Sequence, residues 1–301
     1  MNITNKMSLN NKKILITGAN GLLGQVLRLF LEKHGFVVIA TGLGSDRLCN
    51  HNHVYKELDV TSLEQCAYVI NKYEPSVIVN AAAMTNVDEC EISKTKCLAV
   101  NSSSIDNFIP HVINYKIHLI QISTDFVFNG FSGGYVENDA CNPLNNYGMS
   151  KLSAEKNIKN NLGDELYTII RTSLIYGPGE NNFLAWVRTK LETGDILNIV
   201  HDQYRTPTYV NDLALAILRI IELKKYGLYH ISSGEKLSIF DIVCNIAICL
   251  RLDLSKINKI NSRELNQIAS RPSDSTLDID KAIKELGFAP TKLNNALKNI
   301  L

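Results

Sequence analysis

The tightest constraint on the fold is a short apolar run that ends in spaced glycines. Lys12 to Thr17 reads KKILIT, and GANGLLG follows at once, with glycines at Gly18, Gly21 and Gly24. Leu22, Leu23, Val26, Leu27, Phe30 and Leu31 then recur at helical spacing. Glycines so placed let a strand turn sharply into a helix, let the backbone approach a pyrophosphate, and let the helix pack against the sheet. The helix amino terminus offers free N–H groups and a positive dipole end to the anion. The turn residues Gly18, Asn20, Gly21, Leu22 and Leu23 are therefore expected cofactor contacts.

A second strand, Phe36 to Thr41, completes a beta-alpha-beta unit. It runs out through Gly42, Leu43, Gly44 and Ser45 into Asp46 and Arg47, with no acid at the strand end. An acid there would hold the ribose 2′-hydroxyl of NAD, whereas an arginine makes room for a 2′-phosphate. Arg47 thus favours NADPH, and NADH stays open because Asp46 could serve if the loop folds back. A weak third strand from Val54 ends near Asp59 and Val60, which are expected beside the adenine. Thr61 with Glu64 reads as a capping box for the next helix. Ser76 to Asn80 is a clean apolar strand, and Ala81, Ala82 and Ala83 after it are small enough for a flat nicotinamide ribose to lie against the backbone. A tightly packed turn is the plain alternative. Glu91 to Tyr115 reads as one helix with Asn101 interrupting it, a residue expected to tie the helix to its surroundings.

The strand Ile117 to Thr124 delivers Ser123 and Thr124 to its carboxyl edge. A glycine-rich loop and a helix beginning near Tyr147 follow. Residues four apart share a helix face, so Tyr147 and Lys151 point the same way. A hydroxyl, a phenol and an ammonium would then converge, the equipment for placing a proton on a carbonyl oxygen. Tyr68 and Lys72 repeat the same spacing and act as an internal control. No strand ending in hydroxyl residues precedes them, and they read as ordinary surface helix.

Strands and helices alternate through about residue 171, which argues for a Rossmann-type, doubly wound parallel sheet. The expected division is a nucleotide-binding domain over 1–171, with its core from 12, and a smaller, mostly helical substrate-binding part over 172–301, some of whose segments could return to the core. Asn211 or Asp212 is an expected cap for a helix over 213–223. The formal net charge of +1 and the lack of a polybasic run argue against nucleic acid. No apolar segment approaches the roughly 20 residues that span a bilayer. The first ten residues read as a frayed terminus without a signal peptide's apolar core, so a cytoplasmic setting is expected. Seven scattered cysteines without a CxxC pattern suggest reduced thiols rather than disulfides or a zinc site.

GANGLLG, NAAAMTNVDECE, STDFVFNG, NPLNNYGMSKLSAEK, RTSLIYGPGENNF and DQYRTPT, in that order, resemble the extended short-chain dehydrogenase/reductase family, and within it the dTDP-4-dehydrorhamnose reductase branch. The resemblance covers residues 12 to about 212, with a looser match through RPSDSTLD. It implies NADPH-dependent reduction of the C4 ketone of a nucleotide-linked 4-keto-6-deoxyhexose. Tyr147 would be the general acid, Lys151 its partner and Thr124 a donor to the carbonyl. Thr85, Thr124, Asp125, Phe126, Asn182, Gln203 and Arg205 would form the sugar wall, and Arg271 would meet the nucleotide phosphates, unless either arginine is held in a salt bridge. Well-studied members carry a Glu two residues after the third glycine that helps bind magnesium at a dimer interface. Val26 stands there, so no metal is expected, while a homodimer of another kind stays open. The family's usual Gly in the DQxGxPT loop is Arg205, and the usual Tyr after the Thr-Asp pair is Phe126. Alternatives compatible with the same residues are a nucleotide-sugar epimerase, an epimerase/reductase, and a non-catalytic regulatory subunit such as that of methionine adenosyltransferase.

Overall fold

The computed structural model describes residues 12–48, 54–180 and 182–300; the expectations for the first ten residues and Cys49 lie outside them. Apolar runs alternating with amphipathic stretches build β1 (Lys13–Thr17), α1 (Leu22–Lys33), β2 (Val37–Gly42), β3 (Val54–Glu57), α2 (Leu63–Tyr73) and β4 (Val77–Asn80). Three short helices follow, α3 (Val87–Ile92), α4 (Lys94–Asn101) and α5 (Ile109–Tyr115). Next come β5 (His118–Thr124), α6 (Asn146–Asn161), β6 (Tyr167–Thr172), α7 (Phe183–Glu192), α8 (Val210–Leu223), β7 (Gly227–His230) and α9 (Ile239–Leu250). Helices α10 (Asp280–Leu286) and α11 (Leu293–Ile300) close the described chain.

One seven-stranded sheet runs β7-β6-β5-β4-β1-β2-β3 with every pairing parallel. The chain winds outward from β1 in one direction, then returns and winds outward from β4 in the other. The order therefore reverses between β1 and β4, and a crevice opens at the carboxyl ends there. Strand alternation divides the core cleanly. Ile14, Ile16, Val38 and Val79 face the layer holding Leu27 of α1 and Leu213 and Ile217 of α8. Leu15, Ile39, Ile78, Leu119 and Ile169 face the other layer, with Ile70, Phe108 and Ile158. Strand β7, from the later part of the chain, lies beside β6 in the main sheet. Leu197–Val200 and Ile257–Ile260 form a separate parallel pair.

Three local expectations are corrected. The stretch from Glu91 to Tyr115 is not one helix: it breaks at Ser93 and again through a 3-10 turn at Ser103–Asn107. Asn101 ends α4 because its amide is spent on tertiary bonds. It accepts from Met84 N at 2.7 Å and donates to Met84 O and Ser150 Oγ, each at 3.0 Å. It thereby ties the loop after β4 to α6. The cap of α2 is Ser62, which accepts from Gln65 N, while the Thr61 hydroxyl donates to Asp59. Helix α8 starts earlier, at Val210, and Asp212 instead receives Thr291 N and Oγ1. No helix among the described residues is long and apolar enough to cross a membrane.

Candidate active site

A cavity of about 590 Å³ opens at the switch between β1 and β4. One wall is the glycine turn. Gly18 sits at φ +67°, and a Cβ there would lie 2.7–2.8 Å from the backbone of Ala81 and Ala82. At Gly24 a Cβ would lie 2.3 Å from Gly18 O, so only glycine lets α1 approach its own turn so closely. The α1 amino terminus has no side-chain cap, which leaves first-turn N–H groups facing outward. Thr17, Asn80 and Gln121 join the strand ends beneath it: Thr17 Oγ1 donates to Asn80 Oδ1 at 2.5 Å, and Asn80 Nδ2 to Gln121 Oε1 at 2.8 Å. Ala82 N donates to Thr17 Oγ1 at 3.2 Å, fixing the small-residue segment against the turn.

The facing wall is built by β5 and α6. Asn145 caps the helix through Gly148 N at 2.8 Å, and its amide donates to Ser270 O at 2.8 Å. Glu91 accepts from Asn146 N at 2.7 Å and also from the Asn146 amide. A Cβ on Gly148 would lie 2.2 Å from Phe126 O, so the glycine after Tyr147 lets the first turn press onto the end of β5. Thr124, Tyr147 and Lys151 consequently line the same cavity as Gly18, Gly21, Leu22, Leu23 and Ala81 to Ala83.

Burial controls the proton affinities here. It pushes the Tyr147 phenol well above the ordinary tyrosine value, against a hydrogen bond with the Thr124 hydroxyl. It pulls the Lys151 ammonium down to about 8, against the attraction of Glu155 one helical turn on. Among the described residues Lys151 Nζ makes no hydrogen bond or ion pair, whereas Glu155 is held by Arg171 at 3.0 and 2.7 Å and by Ser123 at 2.5 Å. The control pair behaves differently. Tyr68 is 58% exposed, and Lys72 donates to its oxygen at 3.0 Å. That bond lowers the phenol's pKa and raises the ammonium's.

The remaining expected site residues divide. Thr85, Asp125, Phe126, Asn182 and Arg205 line the cavity. The Asn182 side chain is occupied locally, capping α7 at Leu184 N and Ala185 N and donating to Gly177 O and Gly179 O. Asn20, Arg47, Asp59, Val60, Gln203 and Arg271 are absent from the cavity lining. Asn20 organises the loop after β2, donating to Leu43 O, Ser45 O and Tyr55 and accepting from Arg47 N. The Arg47 side chain is exposed beside that loop, and Asp46 folds back onto Arg28 at 2.7 Å. Asp59 accepts from Thr61, and Val60 is core. Gln203 is buried next to Arg205, and Arg271 forms a two-pronged ion pair with Asp88 at 2.7 and 2.8 Å. Sequence reading missed Leu174 and Phe183, which also line the cavity. Leu174 adopts φ +38°, and nothing in its residue type signals that turn.

The sequence profile of the RmlD substrate binding domain family matches residues 12–301. The chain belongs to that family. Among RmlD-family relatives, dTDP-4-dehydrorhamnose reductase of Aggregatibacter actinomycetemcomitans is 32% identical over 301 residues, covering 96% of this chain and 98% of the relative. The crystal structure of dTDP-4-dehydrorhamnose reductase from Bacillus anthracis str. Ames in complex with NADP superposes with a TM-score of 0.86 at 28% identity, covering 96% of this chain and 98% of that one. Methionine adenosyltransferase 2 subunit beta of Rattus norvegicus is 28% identical over 296 residues, 95% of this chain and 86% of the relative.

Proposed function

We propose that the chain is an NADPH-dependent reductase that converts the C4 ketone of a nucleotide-linked 4-keto-6-deoxyhexose to an alcohol, in the manner of dTDP-4-dehydrorhamnose reductase. The observation that carries the reading is the single cavity lined on one side by the glycine turn and on the other by Thr124, Tyr147 and Lys151. The cradle fits a dinucleotide: close backbone approach at Gly18, uncapped N–H groups at α1 and small side chains at Ala81 to Ala83. When bound, the reduced nicotinamide supplies a hydride to the carbonyl carbon. The absence of an acid at the end of β2 and the engagement of Asp46 by Arg28 support the phosphorylated cofactor over NADH.

Tyr147 stays protonated across neutral pH and is ready to donate to the C4 oxygen, with Thr124 as a second donor once its hydroxyl turns from Asp125 Oδ1. Lys151, charged below about pH 8, stabilises the phenolate left behind. Asp125, Phe126 and Arg205 form the sugar side of the cavity. The relative in methionine adenosyltransferase keeps a regulatory role open as the second reading.

The test supplies purified protein with NADPH and with dTDP- and UDP-linked 4-keto-6-deoxyhexoses, following cofactor absorbance and identifying the sugar by NMR. Consumption of one NADPH per alcohol formed supports the reductase. Interconversion without net consumption points to an epimerase, and no turnover together with capture of an adenosyltransferase points to the regulatory reading.

A further inference from the structure

We propose that Arg205 and Phe126 act as one selective wall, which accepts an oxygen substituent on the sugar carbons beside the reacting carbonyl and turns away an ammonium group there. The inference rests on the reductase reading and names what that site selects.

Both positions depart from the pattern the sequence resembles, which has glycine and tyrosine, and the two departures touch. The Arg205 guanidinium carbon lies 5.0 Å from the Phe126 ring centroid. The same ring meets Tyr147 edge-on, at 6.1 Å between centroids and 77° between planes. Phe126 is thus wedged between the cation and the phenol, so the wall borders the place where the C4 oxygen would sit. A glycine at 205 would leave the ring face bare. A tyrosine at 126 would add a hydroxyl able to take hydrogen bonds that a phenylalanine leaves open.

The donors of Arg205 can be followed one by one. Nη1 donates to Tyr204 O at 2.7 Å and Pro272 O at 3.0 Å, which uses both of its hydrogens. Nε lies 3.9 Å from Asp125 Oδ2. Among the described residues Nη2 has a single long bond, 3.4 Å to Gln203 Oε1, and so retains a donor. Arg205 is 3% exposed and is one of the residues lining the cavity, so its guanidinium is desolvated rather than dispersed in water. A guanidinium has no acceptor, so it can pair with a hydroxyl or keto oxygen and offers an ammonium nothing to bond to. Asp125 keeps its charge, so the discrimination rests on hydrogen bonding: its Oδ2 already receives Ser173 and Ser275 and faces Arg205.

The test needs no turnover. Calorimetry on the NADP-loaded protein compares dTDP-6-deoxyglucose with its 3-amino-3-deoxy counterpart at neutral pH, for wild type, Arg205→Gln, Phe126→Tyr and the double variant Arg205→Gly/Phe126→Tyr. Wild type is expected to prefer the 3-hydroxy sugar by about tenfold or more, the worth of a hydrogen bond to a charged donor. Arg205→Gln and the double variant should bring the ratio within about threefold. Circular dichroism and melting establish which variants fold, and Phe126→Tyr decides the matter where substitution at the buried arginine does not fold, by lowering the ratio or leaving it unchanged. An unchanged ratio in folded Arg205→Gln, or in Phe126→Tyr, overturns the proposal. Equal affinity of wild type for the two sugars overturns the selection and leaves the reductase standing, and binding of neither overturns both.

Discussion

Replacing Glu155 by Gln should move the alkaline limit of activity downward. Glu155 is 1% exposed and Lys151 3%, so neither charge is well screened. Residues four apart on a helix lie about 6 Å apart, and at an effective dielectric constant near 20 two unit charges then interact by about 3 kcal/mol, equivalent to about two pH units. Removing the carboxylate also leaves the Arg171 cation without its partner, which pushes Lys151 the same way. The sign is unambiguous: the ammonium is needed to stabilise the phenolate, so activity falls as pH rises through the Lys151 pKa, and lowering that pKa moves the fall to lower pH. The assay is kcat/KM for ketone reduction from pH 5 to 9.5, roughly spanning both expected inflections. Wild type should decline around pH 8 and the variant around pH 6, about two units lower. Leaving Arg171 buried and uncompensated costs about 3–5 kcal/mol of stability, so the profile is taken at low temperature with folding checked by circular dichroism. A folded variant whose alkaline inflection coincides with that of wild type would refute the electrostatic role of Glu155.

Tyr147→Phe should lower turnover by about two or more orders of magnitude while NADPH affinity, read by fluorescence titration, stays near wild type; comparable turnover would remove the phenol from the chemistry. Gly148→Ala places a methyl group 2.2 Å from Phe126 O and 2.9 Å from Pro143 Cβ. Such overpacking should cost about 1–3 kcal/mol in denaturant titration and displace α6, with Tyr147 and Lys151, enough to cut kcat about tenfold or more. Burial holds His118 down to about 4 and His230 down to about 3, from an ordinary 6.5. Between pH 6.5 and those values the unfolded chain binds more protons, so stability should fall on acidification by up to about 1.4 kcal/mol per pH unit for each histidine. Urea midpoints between pH 7 and 5 measure this, and a flat response would show that both imidazoles are hydrated.

Much of the sheet was legible because local signals and tertiary demands coincide there. Isoleucine- and valine-rich runs, spaced glycines and a Ser-Thr strand end each impose a backbone and a face without outside help. Legibility failed where a polar side chain had competing partners. Asp212 looks like a cap and is claimed by Thr291; Thr61 looks like a cap and turns to Asp59; Asn101 breaks its helix for Met84 and Ser150. Arg271 illustrates the same limit, since its approach to Asp88 depends on a segment 183 residues away in sequence. Local spacing carries no record of such distant partners. Arg205 could be noticed as unusual from sequence, yet its contact with Phe126 emerges only once the two loops meet.

The surface twin of the proposed catalytic pair has a broader implication. Tyr68 and Lys72 carry the same functional groups at the same interval, and water alone leaves them bonded to one another with a loosened phenolic proton. What distinguishes Tyr147 and Lys151 is their place in the wall of a cavity built from segments distant in the chain. Grafting the pair onto another scaffold would therefore transfer the letters without the surroundings that shift their proton affinities, and a protein of this kind could gain or lose its chemistry by changing that wall while both side chains stayed the same.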